Sequence, residues 1–323
     1  MTTGRVTARP RRRSYDRRAS YFRRVIPLVR RIARYAAAGV LSTALASLAA
    51  CGSAQSTQAT RSGHPDSPVS PSSAAPAKPS PTTPSKPPRL TPGPGGLTPV
   101  FTHGPRDKGK TVAFTFDADM TADEGRRAAS GEHFDNPELI AALRALKVPA
   151  TVFMTGKWAE TYPDQARSIG TDPLFELANH SYSHYAFTGD CYGLPTVTAD
   201  QVRPDVERAY TAFAKAGVPH PMPYLRFPGG CYDSQVLRTL APLGVTAVQW
   251  DVVSGDAFAT DADAVVRQVL DGVKPGSVVV MHCTRSAAPT TERVVRAVVP
   301  ELRKQGYRFV KVSEMIGASA GRT

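Results

Sequence analysis

The sequence predicts an α/β protein: a distorted or incomplete (β/α)7-8 barrel forming a single catalytic domain over residues 105–323. Three observations predict it. Short apolar runs alternate with amphipathic stretches, six or seven such units fit the length, and the chemically capable residues fall where apolar runs end. Apolar strands that alternate with helices pair in parallel with the helices outside. Such barrels collect their functional groups at the carboxyl ends of the strands.

The elements follow in order. Residues 111–116 form a buried strand ending at Asp117, and Pro137 opens a helix over 138–147 with Leu139, Ile140, Leu143 and Leu146 on one face. A strand over 150–154 and a helix over 164–169 come next, then a short strand, 175–178, leading into His180. Residues 199–216 are helical, 224–227 a strand, 235–243 a helix and 245–250 a strand. A helix over 262–272, a strand over 277–281, a helix over 291–305 and a strand over 308–312 close the series.

The amino terminus has a different character. Residues 1–34 hold twelve Arg and one Asp, followed by an uncharged apolar segment from Tyr35 to Ala50, the layout of a signal peptide. At roughly 1.5 Å per residue it is a little short for an ordinary membrane span. The segment ends in Leu48-Ala49-Ala50-Cys51-Gly52, which is similar to the bacterial lipoprotein box and makes Cys51 the expected lipid-anchor site; an uncleaved anchor, or cleavage at an Ala-x-Ala-like site, is the alternative. Arg23-Arg24 and Arg30-Arg31 are compatible with twin-arginine export. Residues 52–104, rich in Pro, Ser, Thr and Ala, are expected to form a disordered tether because they hold too little apolar surface to offset ordering entropy. The organisation is thus 1–51 export signal, 52–104 tether and 105–323 catalytic domain.

The formal charge of +13 belongs to the leader and tether, so the catalytic region is close to neutral. That removes the electrostatic case for nucleic acid. It suits an uncharged polymer at least as well as an anionic one.

Five ordered segments carry the chemistry. His180 and His184, four apart, can chelate one ion if they lie on a helical turn. The third ligand would be a carboxylate from Asp117 or Asp119, which as alternate strand residues can point the same way. Two histidines and a carboxylate with open positions form a recurrent zinc arrangement for hydrolysis, leaving the other carboxylate to take a proton from water. A solvated acidic turn is the plainer alternative for this pair. Arg226, in an apolar setting, requires a carboxylate partner, with Asp117 the candidate. In Pro228-Gly229-Gly230, bare amides can donate to a developing oxyanion. His282 ends an apolar strand; alone it reads as a core histidine, but expelling an amine needs a proton donor, and Asp256 can orient its ring. His64, His103, His133 and His220 receive no role.

These motifs together resemble the polysaccharide deacetylases, carbohydrate esterase family 4, across roughly residues 108–315. The resemblance implies a metal-dependent hydrolase removing N-acetyl groups from peptidoglycan or a chitin-like amino-sugar polysaccharide. Asp117 is the implied base, Arg226 its orienting partner, Gly229 the oxyanion donor, Asp256 the fourth-motif aspartate and His282 the acid. A divalent metal, zinc foremost, is held by His180, His184 and an aspartate. The family's adjacent second aspartate is Ala118 here, so Asp119 is the expected replacement. Ala257 stands where a tryptophan is usual, with Phe258 expected to fill part of that wall. Glycine at 229, in place of an aromatic residue, is expected to widen the acyl site or change the substrate. Among Cys191, Cys231 and Cys283, a Cys191–Cys231 bridge is expected, with Cys231–Cys283 second.

The expected protein is therefore an exported monomeric lipoprotein on the outer face of the membrane, facing the cell wall, with a polysaccharide substrate and no nucleic-acid partner. An O-acetyl esterase of the xylan type and a non-catalytic glycan-binding lipoprotein are the alternatives.

Overall fold

A computed structural model describes residues 86–320, all within one compact unit, Lys78–Thr323. The signal segment, Cys51 and the tether up to residue 85 lie outside the described residues. No helix among the described residues is long and apolar enough to cross a membrane.

At the centre lies β2 (Thr111–Ala118), buried at all but its first residue. Preceding it is β1 (Val100–Phe101); following it come β3 (Ala150–Met154), β4 (Phe175–Asn179), β5 (Tyr224–Leu225), β6 (Thr246–Val248), β7 (Val252–Val253), β8 (Ser277–His282) and β9 (Arg308–Phe309). The strand order is β1-β6-β5-β4-β3-β2-β8-β7, with β9 against the start of β2. Each of these pairings is parallel. The ends of the path are not paired with each other among the described residues, so the barrel is incomplete, as the sequence predicts. A single antiparallel bridge, His103 to Ser277, crosses near that seam.

The helices are α1 (Gly125–Ala129), α2 (Pro137–Ala145), α3 (Gly156–Thr161), α4 (Pro163–Gly170), α5 (Val202–Lys215), α6 (Ser234–Leu240), α7 (Ala262–Gly272), α8 (Thr291–Lys304) and α9 (Val312–Ala320). Strand alternation divides the core. Phe114, Phe116, Ala118, Val152, Met154, Val279 and Met281 belong to the large cluster that also takes in α2 and α8. Ala113, Phe153 and Val278, on the opposite face, form a smaller cluster filled by Val312, Met315 and Ile316 of α9. Asp117, two residues beyond Thr115 and four beyond Ala113, lies on that second face.

Three expectations are corrected. The predicted strand 308–312 stops at Phe309, and Val312 instead opens α9. Its first amides are taken by Thr151 Oγ1 (3.0 Å from Val312 N) and Glu176 Oε1 (3.0 Å from Ser313 N). The tether also ends sooner than residue 104. Tyr224 Oη donates to the Pro88 carbonyl (2.8 Å), Arg89 Nη1 to the Gly244 carbonyl (2.9 Å), and β1 pairs with β6. Leu90, Val100 and Phe101 carry enough apolar surface to dock there, despite their Pro-rich neighbours. Finally, α1, α3, β1 and β7 have no counterpart among the predicted elements, being too short to show a period.

The packing of α3 on α5 depends on a missing side chain. A Cβ on Gly156 would stand 2.5 Å from Tyr182 Cδ2 and 2.9 Å from the Ala209 Cα, a backbone atom on α5. Gly156→Ala is therefore expected to cost about 1–3 kcal/mol, read as a lower urea midpoint at unchanged m-value.

Candidate active site

Arg226 is fully buried one residue beyond β5. Its Nη1 donates to Asp117 Oδ1 at 2.7 Å, Nη2 to Thr115 Oγ1 at 2.8 Å and Nε to the Val248 carbonyl at 3.2 Å. The guanidinium carbon also lies 4.0 Å from the Phe153 ring centroid. A buried cation is tolerated when charge and donors are matched this fully. With Oδ1 committed to Arg226, the other Asp117 oxygen faces His180 Nε2 at 3.7 Å.

The turn joining the two histidines is not helical, contrary to expectation. Ser181 and His184 have φ of 69° and 56°, conformations that need local anchoring. Asn179 Oδ1 accepts from Ser181 N at 2.7 Å, and Ser181 Oγ accepts from His184 N at 3.0 Å. Asp205 Oδ2, reaching in from α5, accepts from both Tyr182 N (3.0 Å) and Ser183 N (3.3 Å). The result still brings the rings together, with centroids 4.9 Å apart. His180 donates from Nδ1 to the Arg226 carbonyl at 3.0 Å, which leaves the Nε2 lone pair facing the site. Burial pulls its pKa down to about 4, so the ring is neutral near pH 7.

Asp119 continues the alternation past β2, while Ala118 is buried in the helix-side cluster. A carboxylate at 118 would therefore point away from His184. Asp119 Oδ2 lies 3.8 Å from His184 Nε2, and the Thr284 hydroxyl donates to Oδ1. Burial alone would raise the Asp119 pKa; His184, His282 and the Thr284 hydroxyl outweigh it and leave it lowered.

The other wall is a second buried pair. Parallel register makes His282 of β8 the neighbour of Asp117 on β2. His282 Nδ1 donates to Asp256 Oδ1 at 2.8 Å, and its backbone N donates to Oδ2 at 2.7 Å. Ser254 Oγ (2.8 Å) and Thr291 Oγ1 (2.7 Å) donate to the same carboxylate. Burial works against a charged His282, yet Asp256 overrides it and pushes the pKa up to about 10. The ring is thus a cation near neutral pH.

The structure brings Asp117, Asp119, His180, His184, Arg226, Asp256 and His282 together at one end of the sheet. Gly229 lies in the turn just after Arg226, with φ of 62°. Its lost aromatic side chain does not open a space. A Cβ there would lie 2.6 Å from Cys191 Sγ and 3.0 Å from Leu194 Cδ1, because the expected Cys191–Cys231 disulfide brings that loop over the turn. Cys283 is free and buried. Phe258 is 84% exposed and does not form a packed wall. Thr115, Asp205, Thr284 and Thr291 complete the site but carry no spacing signal, since each acts on a partner remote in the chain.

Among the described residues no three His, Cys, Asp or Glu side chains are gathered into a formed metal centre. The donor chemistry nevertheless fits a divalent cation. Each imidazole nitrogen faces a carboxylate oxygen beyond hydrogen-bonding distance, and for His180 the facing atom is a lone pair.

A parallel half-barrel that sets buried carboxylates and three histidine rings at its carboxyl edge is built for hydrolysis. The family model for polysaccharide deacetylase matches residues 104–248. A chitooligosaccharide deacetylase of Sinorhizobium fredii is 30% identical over 53% of this chain and 80% of its own. A peptidoglycan-N-acetylglucosamine deacetylase of Bacillus cereus is 28% identical over 56% of this chain and 81% of its own. The crystal structure of the Bc1960 peptidoglycan N-acetylglucosamine deacetylase superposes with a TM-score of 0.56 at 25% identity, covering 68% of this chain and 92% of that one. The chain belongs to the polysaccharide deacetylase family, the hydrolases of carbohydrate esterase family 4. Asp256 and His282 lie beyond the segment matched by the family model, and the structure sets them beside Asp117.

Removing the charge on Asp256 should act on stability with a defined sign. The folded pKa of His282, about 10, exceeds its ordinary 6.5, so the pair's contribution is fully present below 6.5 and lost as pH rises through 10. The Asp256 pKa is lowered from 3.8 (burial alone would raise it, and His282 prevails), so its contribution fades in acid instead. Asp256→Asn is expected to destabilise most at about pH 6 and least above about pH 10, measured by urea unfolding at the two values.

Proposed function

We propose that the protein removes N-acetyl groups from an amino-sugar polysaccharide of the cell envelope, peptidoglycan foremost. The observation that carries this is His282: a histidine held as a cation by Asp256, in register with Asp117, can protonate a departing amine. An amine is the leaving group of an N-acetyl sugar. The names of the Bacillus cereus and Sinorhizobium fredii relatives support the same substrate class.

Asp119, His180 and His184 would hold the divalent cation, zinc foremost, which when bound supplies Lewis-acid polarisation at that place. Asp117 takes the proton of the attacking water on Oδ2, the oxygen that Arg226 leaves available. The Gly229 amide donates to the developing oxyanion. His282 gives its Nε2 proton to the amine nitrogen as the carbon–nitrogen bond breaks, and acetate and a free amino sugar leave. Export and a lipid anchor at Cys51, read from the leader, would hold this monomeric enzyme on the outer face of the membrane within reach of the cell wall.

Acetate release from N-acetylglucosamine oligomers and from acetylated xylan, measured side by side, tests the reading. Turnover on the first and little on the second is expected; the reverse would make the protein an O-acetyl esterase. Asp117→Asn should lower kcat on the N-acetyl substrate by about 10²–10⁴-fold. Turnover absent from both substrates, with oligosaccharide still bound, would indicate the non-catalytic glycan-binding alternative.

The cation assignment has its own test. By isothermal titration calorimetry, Asp119→Ala should abolish zinc binding, and Asp205→Ala should weaken it about 10–100-fold by loosening the histidine turn. Unchanged affinity in Asp119→Ala would move the carboxylate ligand elsewhere.

A further inference from the structure

A parallel sheet has two ends, and the chemistry above uses only the carboxyl one. The end where the strands start carries an excess of positive charge. Lys110 directly precedes β2, Lys147 and Lys274 lie just ahead of β3 and β8, and Arg308 opens β9. Direct contacts join these positions into one patch. Arg303 Nη2, from the last turn of α8, donates to the carbonyls of Leu146 (2.7 Å) and Lys147 (3.3 Å). Lys110 Nζ donates to the Gln305 carbonyl at 3.0 Å, and Arg308 N donates to the Lys110 carbonyl at 2.8 Å. Tyr307 Oη donates to the carbonyl of Val273, next to Lys274, at 3.4 Å.

Much of this charge is not neutralised locally. Lys110, Arg303 and Lys311 bind main-chain carbonyls, the last at Pro173 (3.1 Å). Asp172, Glu301 and Glu314 are already paired with Arg144, Lys304 and Arg308, and Asp251 with Arg106. Asp107 and Asp271 are the further carboxylates here, against Lys108, Lys110, Lys147, Lys274, Arg303 and Lys311. Helix dipoles account for part of the pattern, since Lys147, Lys274 and Arg303 lie at the carboxyl ends of α2, α7 and α8. They do not account for Lys311, which stands at the amino end of α9, where a cation is disfavoured. The catalytic region is close to neutral as a whole, so its charge is polarised between the two ends.

The preceding chain joins the domain at this same end. Tyr224, the first residue of β5, donates to the Pro88 carbonyl, and Arg89 donates to the Gly244 carbonyl just ahead of β6. Between Cys51 and Lys86 lie 34 residues.

We propose that the face at the strand starts docks on anionic phospholipid headgroups of the membrane that holds the chain, turning the active-site end outward. The proposal rests on the lipid anchor at Cys51 proposed above. An anchor makes docking intramolecular, so a weak attraction suffices. Each Lys or Arg close to an anionic surface favours binding about fivefold. The attraction fades beyond about 8–10 Å at moderate salt, so only the face turned to the membrane contributes.

Lysine footprinting of the full chain tests this, on vesicles of equimolar phosphatidylglycerol and phosphatidylcholine. Acetylation of Lys110, Lys147 and Lys274 should slow about fivefold or more against the free chain. Lys157, just past the carboxyl end of β3, should react as before. Phosphatidylcholine alone, or about 0.5 M salt, should remove the protection. Lys147→Gln/Lys274→Gln should remove it from Lys110 with Tm unchanged, whereas Lys147→Arg/Lys274→Arg should keep it. Absent protection, equal protection of Lys157, or protection indifferent to phosphatidylglycerol or to the Gln variant overturns the docking face. Protection by soluble polyglycerol phosphate but not by vesicles overturns it in favour of a wall polymer.

The mass of the peptide bearing Cys51, from chain recovered with membranes, keeps the two proposals apart. An unlipidated Cys51 with lysine protection intact sinks only the anchor. A lipidated chain without that protection sinks only the docking.

Discussion

Everything at the reacting end of this barrel depends on Arg226. Its guanidinium is fully buried and holds Asp117 by one oxygen, while its own carbonyl accepts from His180 Nδ1. One residue thus sets the orientation of the carboxylate by its side chain and the tautomer of the first histidine by its main chain. Removing one partner of such a buried pair typically costs about 3–5 kcal/mol, since the survivor is left charged without a counterion. Here the same loss would also free two functional groups.

Two histidines in one site are driven in opposite directions. Burial takes His180 down to about 4, whereas Asp256 overrides burial and takes His282 up to about 10. A neutral ring can offer a lone pair and a charged ring can give a proton, so the two environments suit the rings to the different roles proposed for them. The parallel register of β2 and β8 then sets His282 beside Asp117 without any loop having to position it. Because these groups sit on or just past paired strands, their spacing inherits the rigidity of the sheet.

The loops beyond β4 and β5 are built differently, tied to one another. The Cys191–Cys231 bridge and the side-chain-free Gly229 act together: each close approach at 229 is possible only because no Cβ is present. The glycine expected to widen the site therefore leaves no opening at that position, because the bridged loop fills it. The departure at Ala118 has a simple geometric basis, since positions 117 and 119 share a face and 118 belongs to the helix-side core.

Much of this was legible in the chain. Apolar runs and helical periods announced the α/β alternation, and the parallel barrel followed from connection rules. Residue type at the ends of those runs pointed to Asp117, His180, His184, Arg226, Asp256 and His282, and to the pairing of Arg226 with Asp117. Local pattern carries such information because strand and helix periods decide which face a residue takes.

What the chain could not display was any contact whose partner is chosen by docking. Asp205 reaches the histidine turn from α5, Thr284 joins Asp119, and Thr291 joins Asp256 only once α8 lies beside β8. The left-handed turn at 181–184, the helical start at Val312 and the docked segment around Pro88 belong to the same class. Each is settled by hydrogen-bond partners and apolar surfaces brought together from far along the chain, and no period in the sequence encodes those.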